Sequence, residues 1–169
     1  MSSALDLPVV RQTRRNHAFE HATIHVLSSR VRGLRMSGIS DAGGFTLFGD
    51  VPTAQVKRAA EDALARLQQG EVRLAIHPNC GTNLVTTGAV TSATAMLTTQ
   101  GIRKPGDMRD RFPLVMFSMI AAVVVSQPLG YWMQRNVTTD GDPADMEITG
   151  VTRGNLGKVV VHRVSTRSS

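Results

Sequence analysis

His17, Glu20, His21 and His25 lie within the run Asn16-His17-Ala18-Phe19-Glu20-His21-Ala22-Thr23-Ile24-His25. At about 100° per residue, a helix places these four residues and Ile24 within an arc of roughly 140°. Three imidazoles and a carboxylate then share one face. Histidines at i and i+4 point the same way and can chelate one cation, and a glutamate one turn from the first of them sits beside whatever they hold. The reading is His17 and His21 as metal ligands, with Glu20 as the catalytic base that takes a proton from a metal-bound water.

A second cluster is His77-Pro78-Asn79-Cys80-Gly81-Thr82-Asn83. Pro78 and Gly81 predict a turn, and His-x-x-Cys is a compact chelating spacing of a ligand mix that zinc accepts. His17, His21, His77 and Cys80 together suffice for a tetrahedral site. With three of them bound, a water takes the fourth position and Glu20 has a proton to accept. With all four bound, the site is closed and structural, and Glu20 orients a ligand. Without metal, the same helix is an amphipathic element whose histidines cap or bridge its neighbours.

These residues need a scaffold. Residues 1–13 read as a loose arm, and Asn16 as the N-cap of a helix from about His17 to about Arg32, ended by Gly33. Leu34 to Ser40 and Phe45 to Phe48 predict a hairpin around Asp41-Ala42-Gly43-Gly44. Ala54 to Gln69 carries an apolar stripe of Val56, Ala60, Ala63, Leu64 and Leu67, and reads as a covering helix. Glu71 to His77 alternates as a strand, which would bring the His77 to Cys80 turn near the first helix. Met146 to Arg153 and Lys158 to Ser165 predict a second hairpin through Gly154-Asn155-Leu156-Gly157, followed by a frayed tail. His162 shares a face with Val160 and Val164, as a late ligand, as a partner that orients one, or as a residue at a sheet edge.

The chain has 169 residues, enough for one domain or for a small domain with a membrane element. Its net charge is +6, but the 19 Lys and Arg are scattered and aromatic residues make up only 4%. No nucleic-acid motif accompanies them, so the basic excess suits an anionic membrane surface and no nucleic-acid partner is expected. A single cysteine, Cys80, excludes an intramolecular disulfide and favours a reducing compartment. Met1 to Val10 lacks a basic segment followed by an apolar core, so no cleavable signal peptide is expected.

Pro78 to Ile102 has no charged side chain and is rich in threonine. Phe112 to Gln134 is uncharged and more apolar, long enough to span about 30 Å of hydrocarbon, flanked by Arg111 and Arg135, with Tyr131 and Trp132 suited to an interface. Arg103 to Arg111 links the two as a polar turn. It holds 4 of the 19 basic residues, so if both stretches span, the positive-inside bias puts the soluble parts in the cytoplasm; if only the second spans, the termini lie on opposite faces.

The expected fold is α+β: a small mixed sheet with covering helices and an inserted transmembrane helical hairpin. The expected regions are an arm at 1–13, an α+β metal-site region at 14–80, a membrane hairpin at 81–135, and a β-hairpin with tail at 136–169.

Asn16 to His25 paired with Leu74 to Asn83, followed by uncharged helices, resembles a family of small bacterial membrane-associated proteins of unknown function. The likeness runs from about Arg15 to about Trp132. It implies this architecture and marks the two motifs, but carries no substrate. His17-x-x-Glu20-His21 is also similar to the HxxEH motif of inverted zinc peptidases, where both histidines bind zinc and the glutamate activates water. Those larger enzymes take a third ligand, a glutamate, well downstream. The candidates here, Glu61, Glu71 and Glu147, lack a matching helical context, so a third ligand from His77 or Cys80 would make a different site.

The functional expectation is a membrane-associated metal-binding protein, with zinc as cofactor, in the hydrolytic version using Glu20. The alternative is a non-enzymatic membrane adaptor or assembly protein with a structural histidine cluster. Expected partners are membrane lipid and a protein or second copy met through the membrane helices; the expected location is the cell membrane.

Overall fold

Pro8 opens the first helix, where its fixed φ suits the first turn and its missing N–H costs nothing. The computed structural model describes residues 4–168. Helix α1 spans Pro8–Arg30. Residues 8–13 of the expected arm are thus its first turns, after a 3-10 turn at Ala4–Asp6; residues 1–3 lie outside the described residues. Asn16 is interior to the helix and not its cap. Its side-chain amide donates to the Asp41 carbonyl at 2.8 Å, and its Oδ1 accepts the Thr166 hydroxyl at 2.7 Å.

Strands β1 (Ser37–Asp41) and β2 (Gly44–Phe48) form the expected hairpin. Helix α2 follows at Thr53–Gln68, its buried stripe including Val56, Ala60, Ala63, Leu64 and Leu67. The expected strand from Glu71 to His77 is absent. Val72–Ala75 is a 3-10 turn, and the carbonyls at its end face α1 histidines in place of a strand ladder.

Strands β3 (Glu147–Leu156) and β4 (Val159–Arg167) close the chain. Leu156 pairs with Val159, so the turn is Gly157 and Lys158 alone, with Gly157 at φ +61°. The tail is tied where it was expected to fray: Ser168 donates its hydroxyl to Asp145 at 2.9 Å, and its carbonyl accepts from Gln12 at 2.9 Å. Ser169 lies outside the described residues.

The sheet order is β1-β2-β4-β3, and every pairing is antiparallel, where a mixed sheet was expected. β2 and β3 run the same way, and β4 lies between them, antiparallel to both. Register places Phe45 opposite Val164 and Leu47 opposite His162, so these four share the face that packs on α1 and α2. Phe19 meets Phe45 edge-to-face, with centroids 5.1 Å apart.

The chain divides into two compact units: one made of the segments through His77 and from Arg135 onward, the other of Pro78–Gln134. The first holds α1, α2 and the sheet. The second is a helical hairpin of α3 (Gly81–Thr98) and α4 (Pro105–Met133). Ala122, Ser126 and Gly130, spaced by four, are the buried residues of α4, and such a small-residue row admits a neighbouring helix closely. Ser126 Oγ lies 2.8 Å from Thr87 Oγ1. Thr91, Thr94 and Thr98 return their hydroxyls to the carbonyls of Thr87, Val90 and Thr94 at 2.8–2.9 Å. Among the described residues, one helix, that of α4, is long and apolar enough to cross a membrane.

Candidate metal centre

Helix α1 runs through the middle of the first unit. Phe19, Ala22, Val26 and Leu27 fill the hydrophobic core, yet Glu20 and His21 are also buried, at 4% and 2% exposure. Polar groups so placed need partners, because an unsatisfied buried group costs about 1–3 kcal/mol.

The histidines meet backbone carbonyls. His17 Nδ1 lies 2.9 Å from the Thr138 oxygen, His21 Nδ1 2.6 Å from that of Ala75, and His25 Nε2 2.8 Å from that of Ile76. A carbonyl can only accept, so each of these nitrogens carries the proton. In the neutral rings the lone pair then sits on Nε2 of His17 and His21 and on Nδ1 of His25. A metal-binding histidine is held in this way, one nitrogen donating to a carbonyl so that the other is oriented and basic.

The structure brings His77 to this group. The centroid distances are 4.4 Å between His17 and His21, 5.7 Å between His21 and His77, and 4.9 Å between His25 and His77. Loss of solvent pulls the His77 pKa down to about 4, with His21 and His25 adding to the shift. Neutral imidazole is the protonation state of histidine that can ligate a cation.

Glu20 points to β1. Its Oε2 accepts the Ser40 hydroxyl at 2.5 Å, and its carboxylate lies over Gly38, where a Cβ would collide with it. Cys80 is buried in the second unit and precedes α3 as its cap, with Sγ 3.4 Å from the Thr82 amide that donates to it. His162 stands on β4, which lies inside the sheet, so it is no edge residue. It is fully buried, with Nδ1 3.5 Å from Thr53 Oγ1, at the long limit of a hydrogen bond.

His25 lay on the expected face but outside the expected ligand set, and its ring contact with His77 brings it into the cluster. The Thr138, Ala75 and Ile76 carbonyls carry no sequence signal, since any residue type offers a carbonyl, and the Ser40 hydroxyl meets Glu20 only through the packing of α1 on β1.

The chain matches a domain of unknown function, DUF6391, over residues 12–151. An uncharacterized protein of Picosynechococcus sp. is 34% identical over 140 residues, covering 75% of this chain and 65% of that protein. The chain therefore spans just under two thirds of that relative's length. No solved structure matches it. The matched range takes in α1 from residue 12 onward, the sheet's first hairpin, the turn from His77 to Cys80 and both helices of the second unit, and the chain belongs to the DUF6391 family.

Proposed function

We propose that this is a membrane-associated metal-binding protein whose centre draws on His17 and His21, with His77 and Cys80, set at the compact His-x-x-Cys spacing, as the further ligands. The observation that carries the reading is the fixing of His17 and His21 by backbone carbonyls. It sets both tautomers with Nε2 as donor, and in this way protein sites orient imidazoles toward a cation. Cys80 follows His77 by three residues, so the chain itself keeps their Cα atoms within about 11 Å. Imidazole with thiolate is a donor set that zinc accepts in tetrahedral geometry.

A hydrolytic form of the reading assigns Glu20 the proton of a bound water. That role needs the carboxylate, whose Oε2 accepts the Ser40 hydroxyl, to reach the bound water with its other oxygen; metal binding alone asks nothing of Glu20. The second unit supplies the membrane element. The outer faces of α3 and α4 expose Leu84, Val85 and Met96, and Phe117, Ile120 and Val124, which suits lipid tails or a second copy. Of the 19 Lys and Arg, 4 lie in the segment from Arg103 to Arg111 that joins the two uncharged stretches, which favours a cytoplasmic location for the first unit when both stretches span.

The adaptor alternative rests on the same hydrogen bonds, since three carbonyl-capped histidines also serve as packing links. Elemental analysis of the full chain, purified in detergent without a His tag, separates the two. About one zinc per chain, lost in both His21→Ala and Cys80→Ala while the circular dichroism of each variant is unchanged, is the expected result. His17→Gln provides a further variant should His21→Ala misfold. No metal in the wild type after zinc is offered overturns the metal reading and leaves the adaptor.

A further inference from the structure

Within the first unit, the segment from Val72 to Ile76 and the loop after α4 enclose a cleft of about 550 Å³. That is the size of a site for a small organic ligand. Val72, Ala75 and Ile76 give it an apolar wall, and its charged lining residues are Arg73, Arg135, Asp140 and Asp142. A Cβ at Gly141 would sit 3.1 Å from the Val72 Cβ, so the loop is already seated against this wall.

The charges around the cleft are unevenly matched. Asp140 faces Arg15 at 3.8 Å and accepts the Asp142 amide at 3.2 Å. Asp142 in turn accepts the Ala144 amide at 2.9 Å, and Glu71, beside Arg73 in sequence, is held by Arg66 at 2.6 Å. The nearby carboxylates are thus engaged locally. Arg73 and Arg135 are exposed, and among the described residues neither has a carboxylate within ion-pair distance.

Arg73 acts on Glu71 only through space, so two guanidiniums outside ion-pair contact can take the paired oxygens of a phosphate, and the apolar wall a hydrocarbon arm attached to it. Arg135 stands two residues after Met133, the last residue of α4, at the position in the chain where a spanning helix meets lipid headgroups. We propose that this cleft binds a phosphate ester carrying an apolar arm, with Arg73 and Arg135 as the anion-binding residues. The proposal goes beyond the metal reading and does not rest on it.

The test is binding by the full-length protein in neutral detergent, read by native mass spectrometry. The probes are short-chain phosphatidylglycerol, phosphatidylcholine with the same chains, and glycerol phosphate. Phosphatidylglycerol is expected to bind about tenfold more tightly than phosphatidylcholine, and Arg73→Gln and Arg135→Gln each to remove most of that preference. Arg153→Gln, an exposed arginine paired with Asp50 at 3.4 Å on the sheet, is expected to retain it. Glycerol phosphate that competes fully, with the same dependence on Arg73 and Arg135, assigns the site to a soluble phosphate ester; failure to compete assigns it to a lipid headgroup. Equal binding of the two lipids together with no binding of glycerol phosphate overturns the proposal. So does a preference that survives both cleft substitutions or falls equally with Arg153→Gln.

Discussion

His21 Nδ1 lies 2.6 Å from the carbonyl oxygen of Ala75, across 54 residues of chain, and both residues are buried. This contact fixes the histidine's tautomer and satisfies a carbonyl that has no strand partner. His21→Ala is therefore expected to destabilise the first unit by about 1–3 kcal/mol even with chelator present. His25→Ala, at a half-buried position, should cost less. Urea unfolding followed by circular dichroism, with excess chelator throughout, measures both. A His21→Ala midpoint equal to that of the wild type would show the hydrogen bond to be dispensable.

Glu20 and Gly38 form a tight pair between α1 and β1. A methyl group at position 38 collides with a carboxylate that is buried and tied to Ser40, so it cannot simply swing into solvent. Gly38→Ala is expected to destabilise by about 1–3 kcal/mol through overpacking. Shortening the acid in the double variant Gly38→Ala, Glu20→Asp should recover part of the loss. The measurement is a double-mutant cycle in urea, and purely additive effects would remove the proposed contact.

The histidine face was legible in the sequence because α1 is a regular helix, and spacing at i and i+4 converts directly into direction. Its start was not, because Asn16 resembles a cap by type while its side chain is used to bridge Asp41 and Thr166 in the folded chain. Both hairpins were legible from their glycine turns and β-branched runs. The 3-10 turn at Val72–Ala75 was hidden by an alternation that suits a strand equally well. What decided it was long-range: imidazoles more than 50 residues away face the carbonyls of Ala75 and Ile76, and no local pattern encodes such partners. The pairing of His25 with His77 was missed for the same reason. The cleft with Arg73 and Arg135 joins two segments about 60 residues apart, and neither segment reads as a site alone.

Ser126 and Gly130 set how closely α3 approaches α4. Ser126 is fully buried beside Thr87, and a Cβ on Gly130 would sit 2.5 Å from Asn83 Oδ1. Ser126→Leu is expected to separate the helices and cost about 1–3 kcal/mol, whereas Ser126→Ala, which keeps the volume small, should cost less than about 1 kcal/mol. Thermal unfolding in detergent micelles, monitored by the fluorescence of Trp132 on α4, is the measurement. Equal midpoints for the two variants would mean that the small-residue row does not govern the packing.

His162 gives the fold a pH dependence of predictable sign. It is fully buried on β4, and Thr53 lies beside its Nδ1. Burial lowers its pKa, Arg153 on β3 lowers it further, and the Gly49 and Val51 backbone and Asp50 oppose the shift. Between that lowered value and the ordinary value near 6.5, the unfolded chain holds a proton that the folded chain refuses. Stability therefore rises with pH across this window, is fully present above about 6.5, and is lost as the pH falls toward the folded-state value. His162→Leu removes the titrating group while keeping an apolar side chain under α2, so the variant should lose less stability than the wild type between pH 8 and pH 5. Urea midpoints at the two pH values, taken on metal-free protein, measure the difference. An unchanged pH dependence would assign the titration to other groups.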